Sequence, residues 1–588
     1  MKRILALCLS AAFLVLSLAS CGFDPEDRGA ILPVYLGSAV PNLDPSAMIY
    51  DKDVYKYTTL LFEGLTVVDA DGKVTAGLAE SWKTDFNEDR GEYFIEFTLR
   101  DTRWNDGRAL LADHFVYAWK RLVSPATQSD AACLLYDVKN AAKVKSGEMT
   151  PDSLGVSAPD RYTLRVELEK AIDIDLFLET VASPSLVPLR YDVVSDYPDT
   201  WATATENFLS CGQFSLTAMD KNEYILDKST NYLLSNDPKV KENPNTYVKP
   251  AKLFNDYSIS TIATWNKLFE NQVYYVDVNT LPEGGESYTD RIQSDDLLST
   301  ATLFLNNSTR LLSNKNVRLA MSRVIDRQAL ASLFGYAATP ATGFVSNGVF
   351  DTKKASSFRA NGGDLISTSA DVAAAKSLLS GIDLTQEVTF HYRAQYEAVA
   401  QMLKAAWASI GINVQMYPLT DALYKKTLTS QDFDILLLDF QGLTTSAYSY
   451  LMPFATKFSG NYIDVDGDYT NPHMTRFNNE AYNALADRVH AATTKEERNS
   501  ILHEMEQLLM EEMPIIPLAF WKNCYMVSDQ LKGLTFTGFG TANFKNATFK
   551  DYLDDNAAWL KDREAIEAAR EEEAKKQAEE AEKTNEGE

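Results

Sequence analysis

The chain has 588 residues, too many for one hydrophobic core, so three or four structural units are expected at roughly 100–200 residues each. Apolar residues make up 45% and charged residues 23%, which argues against a disordered or fibrous chain. The 56 basic and 82 acidic side chains leave a net charge of −26, and a surface that negative repels phosphate backbones, so nucleic acid is a poor partner.

Lys2 and Arg3 make a short positive start, and residues 4–18 are a nearly unbroken apolar stretch. That stretch is short for a bilayer span and has the layout of a secretory signal, read here as residues 1–20. It runs into Leu18-Ala19-Ser20-Cys21, which resembles a bacterial lipobox in which the Cys21 thiol takes a diacylglycerol. Residues 21–30 are polar and rich in turn formers, as a tether should be. Cys133, Cys211 and Cys524 then remain, enough for one disulfide at most and without metal-knuckle spacing. The expected location is the outer face of the bacterial cytoplasmic membrane.

Further along, Tyr93, Ile95, Phe97 and Leu99 alternate with more polar neighbours, and Tyr162, Leu164, Val166 and Leu168 do so more cleanly. Period two predicts half-buried strands of one small sheet. Between them, residues 112–122 read as a helix with Phe115, Ala118, Trp119 and Leu122 on one face. Residues 317–330 read as a helix, as do 399–410, which end at Gly411 before the alternating Ile412, Val414 and Met416. Thr494 with Glu497 forms a capping box for a helix carrying Ile501, Leu502, Met505, Leu508 and Leu509. Helices alternating with strands indicate an α/β lobe. From residue 562 to the end there are eleven acidic and five basic residues with no apolar stripe, which reads as a solvated, fraying helix.

Catalytic signatures are missing. His503-Glu504-Met505-Glu506-Gln507 begins like a zinc-protease helix, but the second ligand must be His at i+4 and position 507 is Gln. There is no G-x-S-x-G elbow, no P-loop and no strand-linked G-x-G-x-x-G. A binding protein is expected, with an exported hydrolase lacking recognisable motifs as the competing class.

Ordered short motifs then carry a family resemblance. They are Asn42-Leu43-Asp44-Pro45, Leu61-Phe62-Glu63-Gly64-Leu65, Gly77-Leu78-Ala79-Glu80-Ser81-Trp82, Trp104-Asn105-Asp106-Gly107 and Asp113-His114-Phe115-Val116-Tyr117-Ala118-Trp119. Asn316-Val317-Arg318-Leu319-Ala320 with Ile325-Asp326-Arg327, Ile410-Gly411-Ile412-Asn413-Val414 and Pro514-Ile515-Ile516-Pro517-Leu518 continue the series. In order and spacing the chain resembles the extracellular solute-binding proteins of peptide/nickel-type ABC transporters, the oligopeptide-binding family.

The resemblance implies an α/β, two-lobed periplasmic-binding-protein clamshell (type II, cluster C) with an extra subdomain on lobe I. Lobe I would comprise 31–65, 200–295 and 521–560, the subdomain 66–199, lobe II 296–520, and an acidic tail 561–588. It further implies a monomer that captures an oligopeptide and hands it to ABC permease subunits, without enzymatic turnover, cofactor or metal. The ligand-facing segments would supply Val54, Tyr55, Tyr57, Thr302, Phe304, Leu437, Asp439, Gln441, Gly442 and Leu443. Tyr55 and Phe304 are equally good core residues.

The ligand anchors depart from the family. Peptide-binding members often carry Asp-Tyr-x-Asp-Pro, whose first Asp pairs with the peptide ammonium, where this chain has Leu443-Thr444-Thr445-Ser446-Ala447. Leu437 stands where such members have an Arg. Either a peptide is held by backbone bonds, with Asp439 or Asp421 as substitute cation partner, or the ligand is neutral, such as an oligosaccharide. Changing Cys21→Ala is expected to leave the protein in the medium or periplasm; a variant that stays membrane-bound and uncleaved would mark a membrane helix instead.

Overall fold

β1 (Ile31–Tyr35) leads into α1 (Val54–Leu61). The buried Lys56 of α1 pairs with Asp53 at 2.8 Å and Asp277 at 2.5 Å, which fixes the helix on the first lobe. The computed structural model describes residues 28–585 apart from 38–39, 41, 47–51, 128, 221–222, 233–246, 258–260, 353–355 and 459–473. The signal segment and Cys21 lie outside the described residues.

The chain then builds a separate unit. A hairpin of β2 (Thr66–Val68) and β3 (Val74–Ala76) precedes β4 (Ala79–Asn87), β5 (Glu92–Leu99), α2 (Ala112–Val123), β6 (Val156–Asp160), β7 (Thr163–Glu167) and α3 (Ile174–Thr180). Period two holds: β5 and β7 pair antiparallel, with Ile95 opposite Val166 and Phe97 opposite Leu164, in a sheet ordered β4-β5-β7-β6. The face of α2 carrying Phe115, Ala118, Trp119 and Leu122 is buried, and the Trp119 indole N–H donates to the Leu186 carbonyl at 3.0 Å.

Returning to lobe I, β8 (Phe214–Met219), β9 (Glu223–Lys228), β10 (Lys252–Asp256) and β11 (Tyr275–Asp277) extend the sheet begun by β1. β12 (Gln293–Leu305) then crosses into lobe II. That lobe contains α4 (Lys315–Arg323), α5 (Arg327–Phe334), β13 (Ala338–Pro340), β14 (Val388–Arg393), α6 (Glu397–Ala408), β15 (Val414–Leu419), α7 (Asp421–Ser430), β16 (Ile435–Gln441), α8 (Glu480–Ala491) and α9 (Lys495–Glu512). β17 (Ile515–Val527) crosses back, and α10 (Tyr552–Asn585) closes the chain.

One sheet passes through both lobes in the order β15-β14-β16-β12-β17-β11-β1-β10-β9-β8, with β13 on β17. It is continuous because β12 and β17 are each 13 residues long and pair antiparallel across the boundary. Their register breaks between Asp296 and Thr300, opposite Lys522 and Phe520. With a second shift between Ala301 and Thr302, this break makes an irregular stretch between the part of the ladder beside β11 and the part beside β16.

Two departures from the sequence reading have physical causes. Residues 317–330 form two helices, α4 and α5, because the Asp326 side chain accepts from the Ala329 N–H and starts a new helix. The turn delivers the buried Arg327 guanidinium to the carbonyls of Ser322, Ser367 and Pro517 at 2.8–3.1 Å. The acidic tail is anchored rather than wholly solvated at its start. α10 begins at Tyr552, stacks Trp559 edge-on against Phe254 and pairs Arg563 with Glu223. Asn556 caps the Ile31 N–H at 2.8 Å.

At the junction of lobe I and the subdomain lies a cavity of about 510 Å³, with Glu63 and Lys545 in its wall. Burial pushes the Glu63 carboxyl up to about 7, against the opposing pull of its hydrogen bond from the Tyr232 hydroxyl and the charges of Lys545 and Arg100. From about pH 4.5 to 7 the folded chain therefore holds a proton that the unfolded chain releases. This group's contribution to stability falls as pH rises through that window, by about 3 kcal/mol. Glu63→Gln is expected to flatten the pH dependence of the urea midpoint between pH 5 and 7 and to be the more stable form at pH 8. An unchanged slope would assign the titration elsewhere.

Candidate ligand-binding site

β16 is apolar over most of its length (Ile-Leu-Leu-Leu-Asp-Phe-Gln) and buried at every position, as a central strand covered on both faces must be. β12 pairs with all of it, from Leu305 opposite Ile435 to Ser299 opposite Gln441. β14 pairs only with its first two residues, Phe390 with Ile435 and His391 with Leu436. Beyond that point, among the described residues, no strand pairs with the far edge of residues 437–441. Five residues of strand make an edge of about 16 Å, with backbone donors and acceptors free to take an added strand.

The side chains of β16 divide between two environments. Phe440 joins Phe304, Phe344, Tyr450 and Phe454 in an aromatic cluster with ring centroids 4.9–6.2 Å apart. On the opposite face Leu437 enters the second hydrophobic core, and Asp439 meets Tyr396 and Trp521. The Tyr396 hydroxyl donates to one Asp439 oxygen at 2.6 Å and the Trp521 indole N–H to the other at 2.8 Å. Burial holds the Asp439 carboxyl above its ordinary range, while these two bonds and the charge of Lys52 pull the other way. Lys52 of lobe I sits 5.0 Å from the centre of the Trp521 ring.

After β16 the chain turns at Gly442, whose N–H donates to the Leu298 carbonyl at 2.6 Å. A side chain at Gly442 would meet the Tyr450 ring at 2.4 Å, so only glycine admits this approach. Residues 443–446 are buried against the extra subdomain, and the Thr445 hydroxyl is hydrogen-bonded to Glu179 at the end of α3. Two further pairs join the same surfaces. Arg498 of α9 pairs with Asp173, the N-cap of α3, and His490 Nδ1 lies 3.1 Å from Asp137. The lobes are thus closed upon one another, with the subdomain held against lobe II.

The residues read from sequence fall into two groups. Tyr55, Gln441, Gly442 and Leu443 reach this three-way junction: Tyr55 is buried, its hydroxyl faces Ser183 and Ser185 without a well-formed hydrogen bond, and its near neighbours include Tyr450. Val54, Tyr57, Thr302, Phe304 and Leu437 lie inside their own lobes. The Tyr57 hydroxyl is held by Asn255 and Tyr257, and the Thr302 hydroxyl by the Thr300 carbonyl. Asp421 is largely exposed and paired with Arg393 at 2.9 Å. Glu179, Ser185, Tyr396, Tyr450 and Trp521 are site neighbours that sequence reasoning missed, since only distant chain crossings bring them in. His503, the first residue of the failed zinc motif, stacks on Phe358 and contacts Asp351 at 3.1 Å.

Two lobes joined by crossing strands, closed over a free strand edge, define a ligand-binding clamshell. Residues 73–462 match the family model of bacterial extracellular solute-binding proteins, family 5, and the chain belongs to that family. It is 26% identical over 515 residues to the oligopeptide-binding protein OppA of Bacillus subtilis, covering 83% of this chain and 87% of that one. It is 26% identical over 492 residues to the periplasmic murein peptide-binding protein MppA of Escherichia coli, covering 80% and 84%. The structure of Listeria monocytogenes OppA bound to peptide superposes with a TM-score of 0.71 at 19% identity, covering 89% and 99%.

Asp439→Asn exchanges an acceptor of two bonds for a group that points an N–H at one of its donors. A loss of about 1–3 kcal/mol is expected in urea unfolding, with a shift in Trp521 fluorescence. Unchanged stability would show that the two bonds do not form.

Proposed function

We propose that the chain is the lipid-anchored capture component of an ABC importer, binding oligopeptides outside the cytoplasmic membrane and presenting them to permease subunits. The observation that carries the peptide reading is the unpaired edge of residues 437–441. An extended peptide completes that edge with main-chain hydrogen bonds, a mode that needs no particular side chain and suits a site lacking the usual terminal anchors. Relatives named for oligopeptide and murein-peptide binding support the same class of ligand.

Leu437 and Leu443 remove two charged contacts, so affinity rests on backbone pairing and on exclusion of water by lobe closure. Tyr55, Gln441, Gly442 and Leu443 form one end of the proposed site, and Asp439 with its two donors lines the face beside Lys52. The aromatic rings of Phe304 and Phe440 are committed to each other and to their cluster, which leaves them no face for stacking a sugar.

Native mass spectrometry of the protein purified without denaturation tests the reading. Peptide masses released on unfolding are expected. Release of an oligosaccharide, or tight binding of glycans with no binding of a free peptide library, would overturn it. Main-chain pairing adds a second check: N-methylating single amides of a binding peptide should weaken it at alternate positions, since only every other amide faces the strand edge.

A further inference from the structure

The missing family carboxylate at position 443 has a counterpart across the cleft. Glu179 is buried, yet its one hydrogen-bond partner among the described residues is the Thr445 hydroxyl, and no described cation pairs with it. It also stands in the last turn of α3, where the helix dipole disfavours negative charge. The carboxylate has capacity to accept further hydrogen bonds beside the one from Thr445. On the segment that follows α3, the buried Ser185 hydroxyl faces the buried Tyr55 hydroxyl of lobe I, and neither makes a well-formed hydrogen bond.

Three acceptors from lobe I and the subdomain therefore stand at the junction where lobe II contributes Gly442, Leu443 and Thr445. The alternatives are otherwise engaged: Asp439 already accepts from Tyr396 and Trp521, and Asp421 is exposed and paired with Arg393. We propose that Glu179 receives the α-ammonium of a peptide ligand, with the Tyr55 and Ser185 hydroxyls as further acceptors for its three N–H groups. The anchor has changed sides, from lobe II to the extra subdomain. Thr445 orients the carboxylate, so the site is complete only when the lobes are closed.

This assignment rests on the peptide reading, and its test separates the two. The probes are an equimolar library of free tri- to pentapeptides and the same library N-acetylated, measured by calorimetry and competition on the full chain. The natural protein is expected to bind the free library about 30-fold or more tightly than the acetylated one, the range for a buried charge partner. Glu179→Gln should bring that ratio close to one, and Thr445→Val should reduce it in part, while Asp421→Asn leaves it in place. Leu443→Asp in the Glu179→Gln background should restore it, a rescue that a purely structural role for Glu179 would not give. Peptides that bind equally well free and acetylated, or a ratio untouched by Glu179→Gln and Thr445→Val, would overturn the assignment and leave the peptide reading standing. Failure of both libraries to bind the natural protein would overturn both.

Discussion

The pairing of β12 with β17 is the constraint on which the rest depends. Each strand is 13 residues long, and the two stay hydrogen-bonded on both sides of the lobe boundary, with register shifts between Asp296 and Thr300 and between Ala301 and Thr302. Antiparallel ladders resist sliding, because a one-residue slip would turn every buried side chain to the wrong face. The lobes can therefore twist and swing about the irregular stretch but cannot translate past one another. This fixes which residues meet on closure. The end of β16 must come down on the subdomain at Thr445, because β12 carries β16 as its immediate neighbour.

The subdomain then does more than decorate lobe I. Its three acids at the interface, Asp137, Asp173 and Glu179, face His490, Arg498 and Thr445 of lobe II. Asp173 serves two structural ends at once, accepting the first N–H groups of α3 with one oxygen and Arg498 with the other. Seating α3 by its N-terminus in this way sets the position of its last turn, and hence of Glu179. Fold stability and ligand geometry are linked through one seven-residue helix.

The fold was legible where one periodicity dominated. β5, β7 and α2 follow from local alternation or a helical stripe, and Thr494 with Glu497 marked the start of α9 because capping is a contact between near neighbours. The split between α4 and α5 was hidden because Val324 and Ile325 continue the apolar pattern through the break; the Asp326 cap starts the new helix, and the groups that hold Arg327 there lie as far away as residues 367 and 517. The site was legible only as a strand and a departure. Leu443 showed that an anchor was missing, but nothing near it in sequence points to residue 179. Asp439 is an example of the converse: the family resemblance made it a candidate, and its two hydrogen bonds come from residues 396 and 521.

Closure has to be poised rather than strong, and the interface chemistry provides for that. Buried ion pairs such as Asp173–Arg498 return in Coulomb attraction roughly what desolvation removes, so their net contribution to the closed state is small. The unpaired edge of β16 opposes closure when nothing lies between the lobes. A ligand that satisfies the backbone edge removes that penalty, and on the proposed assignment its ammonium adds a charge-assisted contact to Glu179. Reversing a 99:1 preference requires about 5.5 kcal/mol of differential binding. A few main-chain bonds in a water-excluded site together with one charge-assisted contact supply energy on the order of that amount. On the proposed reading, a strand edge left unsatisfied between the lobes makes their closure sensitive to occupancy.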